Sequence, residues 1–385
     1  MPTVTSTRGT GNLSSETRGV RDVAPLLFEL DPDIGPLIQM LGQAGQEGAD
    51  NTKIEWFEDE MNPRFTRLSA SLTAAATTMS VVNPTYLRLG DIIKLSNAEN
   101  VRVTATPTAN PVSITRGVGT TGGQAHDSGA SAFIFTNAHA EGGAKRAMLS
   151  TRRVPQYNWL QIVKNAFGWT KSAAGTKQYA GQDKDKERNK KLKEQKRDIE
   201  QAFWFGERYN SDETSDSNVR TMGGVFSFIT SNSKNAELWT EEEMEDFMRV
   251  VFRHGSKEKV LFGSPALITA INRFARGKLE TVSGVQSYGV TMTKFMSAGR
   301  NVRLVEHNLF TNDNLNDLAG IAGYGAILDM QYVKVRWLSS RGTLVGLDEN
   351  IQTPGDDQEQ HQYISEVGLQ FALEKAHGEI TGVKA

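Results

Sequence analysis

The stretch Asp183–Tyr209, DKDKERNKKLKEQKRDIEQAFWFGERY, constrains this chain most, because it is free of Gly and Pro until Gly206. Between Asp183 and Glu200 it carries eight Lys/Arg and six Asp/Glu. Opposite charges recur three or four positions apart, Glu187 with Lys191, Lys190 with Glu194 and Lys196 with Glu200, and each such pair supports a helix by about 0.2–0.5 kcal/mol. The apolar residues come late, at Leu192, Ile199, Ala202, Phe203 and Trp204. This spacing predicts a long helix whose first two thirds is solvated and whose last third is seated in a core. Taken alone, it describes a polar surface helix.

The 385 residues around it are enough for roughly two or three domains. A net charge of −2 argues against a protein whose main work is gripping nucleic-acid phosphates. The absence of cysteine removes disulfides, thiolate metal sites and a thiol nucleophile. The first residues, MPTVTSTRGTGNLSSETRG, lack the apolar core of a signal peptide. No apolar run approaches the roughly 18 residues of a membrane span.

Residues 1–24 have almost nothing to bury and read as an extended arm ordered by a partner. Val23–Leu41 adds apolar residues between Pro and Gly breaks, as short helical turns would. From 79 to 137, β patterns at 91–95, 101–105, 112–116 and 131–135 alternate with turn residues, which predicts a small all-β module. Residues 144–180 are rich in Arg, Lys and Trp and read as a long exposed strand. Thr240 and Glu243 form a capping box for a helix with Met244, Phe247, Met248, Val251 and Phe252 on one face. Strand 259–263 then feeds Ser264 and Pro265, an N-cap and first helical position, with Gly277 as the stop. With strand 301–307 and the apolar segment 319–328, this makes an α/β unit. Segments 332–338 and 363–373 alternate as half-buried strands that pair with each other, with Glu366, Gln370 and Glu374 facing away from the core.

The chemical motifs fail one by one. Gly117, Gly119 and Gly122 satisfy GxGxxG, but no helix follows to receive a phosphate, so the segment reads as a hairpin loop. Asp356, Asp357, Glu359 and His361 lack the fixed spacing of a calcium loop and read as a solvated acidic turn. Asn312–Asp317 begins like an EF-hand loop but has Asp317 where the turn needs Gly. The six histidines lie far apart in sequence. Neither a catalytic residue, a cofactor site nor a metal site is nominated, and a chain of arms and ribbons without chemistry points to a protein that works by contact.

The order of these elements resembles tailed-bacteriophage major capsid proteins, whose fold is shared with herpesvirus capsids. The acidic strand EWFEDEM (55–61) and YNWLQIVKNAFGWTKSAAG (157–175) resemble the strands of an extended loop. KRDIEQAFWFG (196–206) is similar to the end of a spine helix, and EVGLQFALEKAHGEITGV (366–383) to a closing strand. The resemblance implies an α+β fold with an N-terminal arm (1–50), extended-loop strands (51–78 and 138–181) and an inserted β domain (79–137). It further implies a spine helix with the first part of a peripheral domain (182–239), an axial domain (240–328) and closing peripheral strands (329–385). It implies a structural subunit rather than an enzyme, forming hexamers and pentamers of an icosahedral head around double-stranded DNA without sequence-specific recognition. Partners would be further copies of the chain, separate scaffolding and portal proteins, and a decoration protein, with no membrane; assembly would occur in the bacterial cytoplasm. The expected interface residues are Trp56, Glu58 and Asp59 on the acidic strand, Arg152, Arg153, Trp159 and Trp169 on the loop, and Lys190, Lys191 and Lys193 on the helix. The rival readings are a tail or baseplate protein, or a carbohydrate-binding module built on 79–137.

Overall fold

The structure, a computed structural model, describes residues 35–383 except 45, 97–98, 144, 177–182, 213, 215–216, 275–278, 282–292, 298 and 311–322. Residues 1–34 of the expected N-terminal arm (1–50), the EF-hand-like start at 312–317 and the stop at Gly277 lie outside the described residues. In chain order the elements are α1 (Pro36–Ala44), β1 (Gln46–Ala49), β2 (Lys53–Glu58), β3 (Phe65–Arg67), β4 (Thr78–Met79), β5 (Asp91–Leu95), β6 (Asn100–Val103), β7 (Val112–Thr115) and β8 (Ser131–Asn137). Next come β9 (Val154–Trp159), β10 (Gln161–Thr170), α2 (Lys171–Gly175), α3 (Asp183–Phe205), β11 (Tyr209–Asn210), β12 (Arg220–Thr221), α4 (Val225–Phe228), β13 (Ser233–Asn235) and α5 (Glu241–Val251). The chain ends with β14 (Glu258–Gly263), α6 (Pro265–Phe274), β15 (Leu279–Thr281), β16 (Thr293–Ser297), β17 (Arg300–Glu306), β18 (Gly325–Leu328), β19 (Val333–Leu338), β20 (Gly346–Asp348), β21 (Gln358–Phe371) and β22 (Gly378–Thr381).

These elements form two compact units, one of Met1–Trp56 with Gln156–Ala385 and one of Phe57–Pro155. The smaller is wider than the expected 79–137, and its six-stranded sheet, β3-β8-β5-β6-β7-β4, takes β3 and Thr78 of β4 from the preceding segment. Leu68, Leu72, Val81, Ile93, Val101, Ile114 and Ile134 close its core. Alternation dictates this: Ala132 and Ile134 point inward while their neighbours in β8 are exposed.

The larger unit contains two main sheets. In one, β10 runs antiparallel to β21 from Gln161 opposite Val367 to Thr170 opposite Gln358, and β19 pairs with the other edge of β21. Helix α3 brings Ile199, Phe203 and Trp204 to that core beside Leu37, Leu41, Val335, Leu369 and Phe371. The seven-stranded sheet runs β13-β22-β18-β14-β17-β16-β15, with α5 and α6 supplying Met244, Phe247, Met248, Leu267 and Ile271 to its core. Thr240 and Glu243 make the expected capping box at the start of α5, and the turn after that helix uses Gly255 at φ 80, where most residues would be strained.

Two expectations are corrected here. Segment 366–383 is not one closing strand: Leu373 turns left-handed at φ 55, β21 stops at Phe371, and β22 crosses to pair with β18 and β13 in the seven-stranded sheet. That sheet therefore extends beyond 240–328 at both ends. Glu366 does not face away to solvent either. It is buried because Arg341, at 3.0 Å, and Arg220, at 3.5 Å, both reach its carboxylate.

Candidate functional site

The last third of α3 is fixed by polar groups as well as by its apolar face. Gln195 donates through Nε2 to the Val163 carbonyl and to Ser365 Oγ, both at 3.0 Å, and accepts from Asn165 Nδ2 at 2.8 Å. One buried amide thus ties the helix to β10 and β21 together. Glu200, expected to pair with Lys196, turns inward instead. Its carboxylate accepts from the backbone amides of Leu37 (3.1 Å) and Ile38 (2.8 Å) at the start of α1. It also accepts from Trp204 Nε1 at 3.1 Å and lies 2.7 Å from His307 Nε2. A carboxylate at a helix N-terminus satisfies amides that have no intrahelical partner. Glu200 therefore holds the first described helix against the longest one.

The other end of α3 borders a cavity of about 260 Å³ lined by Phe167, Trp169, Lys184, Arg188, Glu359 and His361, among others. The His361 ring lies against Phe167, at 5.5 Å between centroids, and Trp169, at 5.0 Å. Its Nδ1 accepts the Asn350 amide at 3.4 Å. Lys184 sits 4.7 Å over the Trp169 ring and 3.0 Å from Glu359, which also accepts from Trp169 Nε1 at 2.8 Å. The Lys184 and Trp169 bonds hold the Glu359 carboxyl below its ordinary range. Glu359 is thus committed to neighbouring side chains, and among the described residues no group of three or more His, Cys, Asp or Glu converges on a metal position.

The expected interface residues divide by exposure. Trp56 and Trp159 are buried by the chain itself: Trp56 packs with Ala49, Ile54 and Leu160, and Trp159 meets Tyr157 edge-on at 6.1 Å. Their burial comes from packing within the protomer, which an aromatic count along the sequence does not distinguish from contact between protomers. Trp169 is half-buried at the cavity. Glu58 is half-buried, and Asp59 is exposed and accepts from Thr151 Oγ1 at 2.8 Å. Arg152, Arg153, Lys190 and Lys193 are exposed. Lys191 pairs with Glu194 at 2.6 Å, which raises its pKa.

Two histidine–carboxylate pairs look like catalytic dyads and are not placed for catalysis. His307–Glu200 and His126–Glu99 both have fully buried side chains. Glu99 is further saturated by both arms of Arg116, at 2.6 Å each. Burial pushes the Glu99 carboxyl up, but Arg116, the Gln124 amide and His126 outweigh that and bring it down to about 2. The glycine-rich loop is explained by the same residue: the amides of Gly117 and Gln124 donate to Glu99 at 3.3 and 3.0 Å. Those two amides are thus already satisfied by a carboxylate of the chain. Sequence reading missed Glu99, Gln195, Glu200 and His307, since a lone polar residue carries no periodic signal of burial.

A sequence profile described as SU10 major capsid protein matches residues 3–384. No curated protein matches the chain. Among solved structures, the chain is similar to Mycobacterium phage Ogopogo at 9% identity and TM-score 0.49, covering 94% of this chain and 96% of that one. The capsid of a native GTA particle is similar at 11% identity and TM-score 0.47, covering 96% and 99%. The capsid of Myoviridae phage XM1 is similar at 9% and 0.45, covering 94% and 96%.

Proposed function

The chain belongs to the SU10 major capsid protein family, and on that premise we propose that its copies close an icosahedral phage head as hexamers and pentamers around double-stranded DNA. As a major capsid protein it is a structural component of the virion shell, and we infer that it works by contact and carries out no reaction. The observation that carries the reading is the division of α3. Its last third is locked into the protomer by Ile199, Phe203 and Trp204, all fully buried, while Lys190 and Lys193 upstream remain exposed. A helix seated at one end offers a charged rod to a neighbour, and ring contacts between identical subunits are heterologous, joining different faces of the two copies. Asp59, Arg152 and Arg153 are further exposed charges for such contacts.

The near-neutral balance of −2 suits a wall that encloses DNA without reading its sequence. Assembly in the bacterial cytoplasm would draw on separate scaffolding and portal proteins, with a decoration protein added to the finished shell. Among the described residues no helix is long and apolar enough to cross a membrane, and no membrane partner is invoked. The test is the triple variant Lys190→Glu, Lys191→Glu and Lys193→Glu, followed by sedimentation and circular dichroism. The expected result is a folded protomer with particle yield down about tenfold or more, as like charges meet at a contact. Wild-type particle yield with full DNA content would remove the helix from the interface.

A further inference from the structure

The small β unit carries an outward face unlike the surface of a solvated sheet. In β3 and β8, Phe65 stands opposite Phe133, and Phe135 follows on the same strand. These rings are 46%, 47% and 39% exposed, although the inward positions of β8, Ala132 and Ile134, already fill the core. Lys94 of β5 lies opposite Phe133, Arg102 of β6 opposite Ile92, and the Arg67 guanidinium is 5.8 Å from the Phe65 ring. No Asp or Glu occupies an outward position of β3, β5, β6, β7 or β8. The face is therefore apolar and cationic without a carboxylate. Contiguous exposed apolar surface of this kind marks an interaction site.

Complementary chemistry lies in the same unit. Directly after Trp56 the chain reads Phe57, Glu58, Asp59, Glu60 and Met61. Phe57 is 69% and Met61 95% exposed, and Asp59 and Glu60 are exposed between them. We propose that the Phe65–Phe133–Phe135 face of one copy docks the acidic, apolar segment 57–61 of a second copy, rings against Phe57 and Met61, Arg67 and Lys94 against Asp59 and Glu60. This deepens the capsid reading and rests on it: in a shell of identical subunits each face meets one such segment, so the contact is heterologous and repeats without a second gene product. Aromatic and Arg anchors rimmed by matched charges are the composition of a protein interface. Aromatic rings beside cations also suit single-stranded nucleic acid, but that partner would leave the 57–61 segment without a counterpart.

The experiment uses wild-type particles assembled from a mixture of light and ¹⁵N-labelled chains, treated with a carbodiimide that joins an ammonium directly to a carboxylate. The expected product is a mixed light–heavy peptide pair joining Lys94 to Asp59 or Glu60. Particles that form without that product overturn the contact and leave the capsid reading standing; a chain that forms no particles overturns both. In parallel, Arg67→Glu with Lys94→Glu, and separately Asp59→Lys with Glu60→Lys, should each cut particle yield about tenfold or more, and the two sets combined should restore it. Failure of the combination to rescue, with each protomer folded by circular dichroism, overturns the pairing. Retention of a single-stranded oligonucleotide by the wild-type protomer, lost in Arg67→Glu with Lys94→Glu, would reassign the face to nucleic acid.

Discussion

The two units of this molecule are stabilised in different ways. In the β unit, β5, β6 and β7 pair with their neighbours in sequence; Glu99 with Arg116 and His126 cinches the loop between β7 and β8, and the buried Asp91 accepts from the Arg88 amide and Arg146. In the larger unit, partners come from opposite ends of the chain: β1 with β19, β10 with β21, β13 with β22. There the buried polar groups are spread over many junctions. Gln195 joins α3 to two strands, Glu200 joins α3 to α1 and His307, and the buried Lys259 donates to the Val251, His254 and Ala376 carbonyls. Local pairing needs little beyond alternation to find its register. Long-range pairing leaves more ways to be wrong, and each buried polar group tolerates only the arrangement that satisfies it.

The largest break in this comparison should come from Glu200→Ala. It strands two backbone amides, the Trp204 indole and His307 in a buried site, and we expect a loss of about 4 kcal/mol. Hydrogen exchange read by mass spectrometry should place that loss in the larger unit and leave protection of the β unit unchanged. Equal loss in both units would mean that they do not unfold separately.

Acid should distinguish the units next. Burial pushes the His377 imidazole from 6.5 down to about 4, so the unfolded chain binds its proton more readily than the folded one. Stability of the larger unit should fall as pH drops from 6.5 through about 4. Glu99 is lowered from 4.5 to about 2, so its contribution to the β unit is present above pH 4.5 and is lost only as pH falls towards 2. Each group contributes about 3 kcal/mol at most. The expected order, followed by exchange across pH 7 to 2, is protection lost first around His377 and last around Glu99; the reverse order would contradict it.

The smallest effects on stability belong to exposed charges. Lys190→Glu and Arg152→Glu should move the unfolding midpoint by no more than about 0.5 kcal/mol in urea titration. A larger change would place either residue in the protomer's own packing.

How far the sequence reaches follows the same division. Charge spacing and late apolar residues located α3, and Ile199, Phe203 and Trp204 are its buried end. The capping box at Thr240 and the pairing of β19 with β21 were likewise readable, because local rules determine them. The inward turn of Glu200 was not, since Lys196 at helical spacing offers an equally good partner on paper. The burial of Glu366 depends on Arg220 and Arg341, and the departure of β22 depends on one left-handed residue, Leu373. Trp56 and Trp159 are buried in the protomer, a placement that their position along the sequence does not reveal. The alternation in β8 contains both its inward Ala132 and Ile134 and its outward Phe133 and Phe135, and only the second pair is unexplained by folding.

The central claim is that this chain is the repeating wall of a closed shell. Electron microscopy of the purified protein, alone and with a scaffolding partner, with particle mass from light scattering, tests it most directly. The account predicts closed shells built of sixfold and fivefold rings; a stable monomer under every condition, or tubes with a threefold repeat, would contradict it.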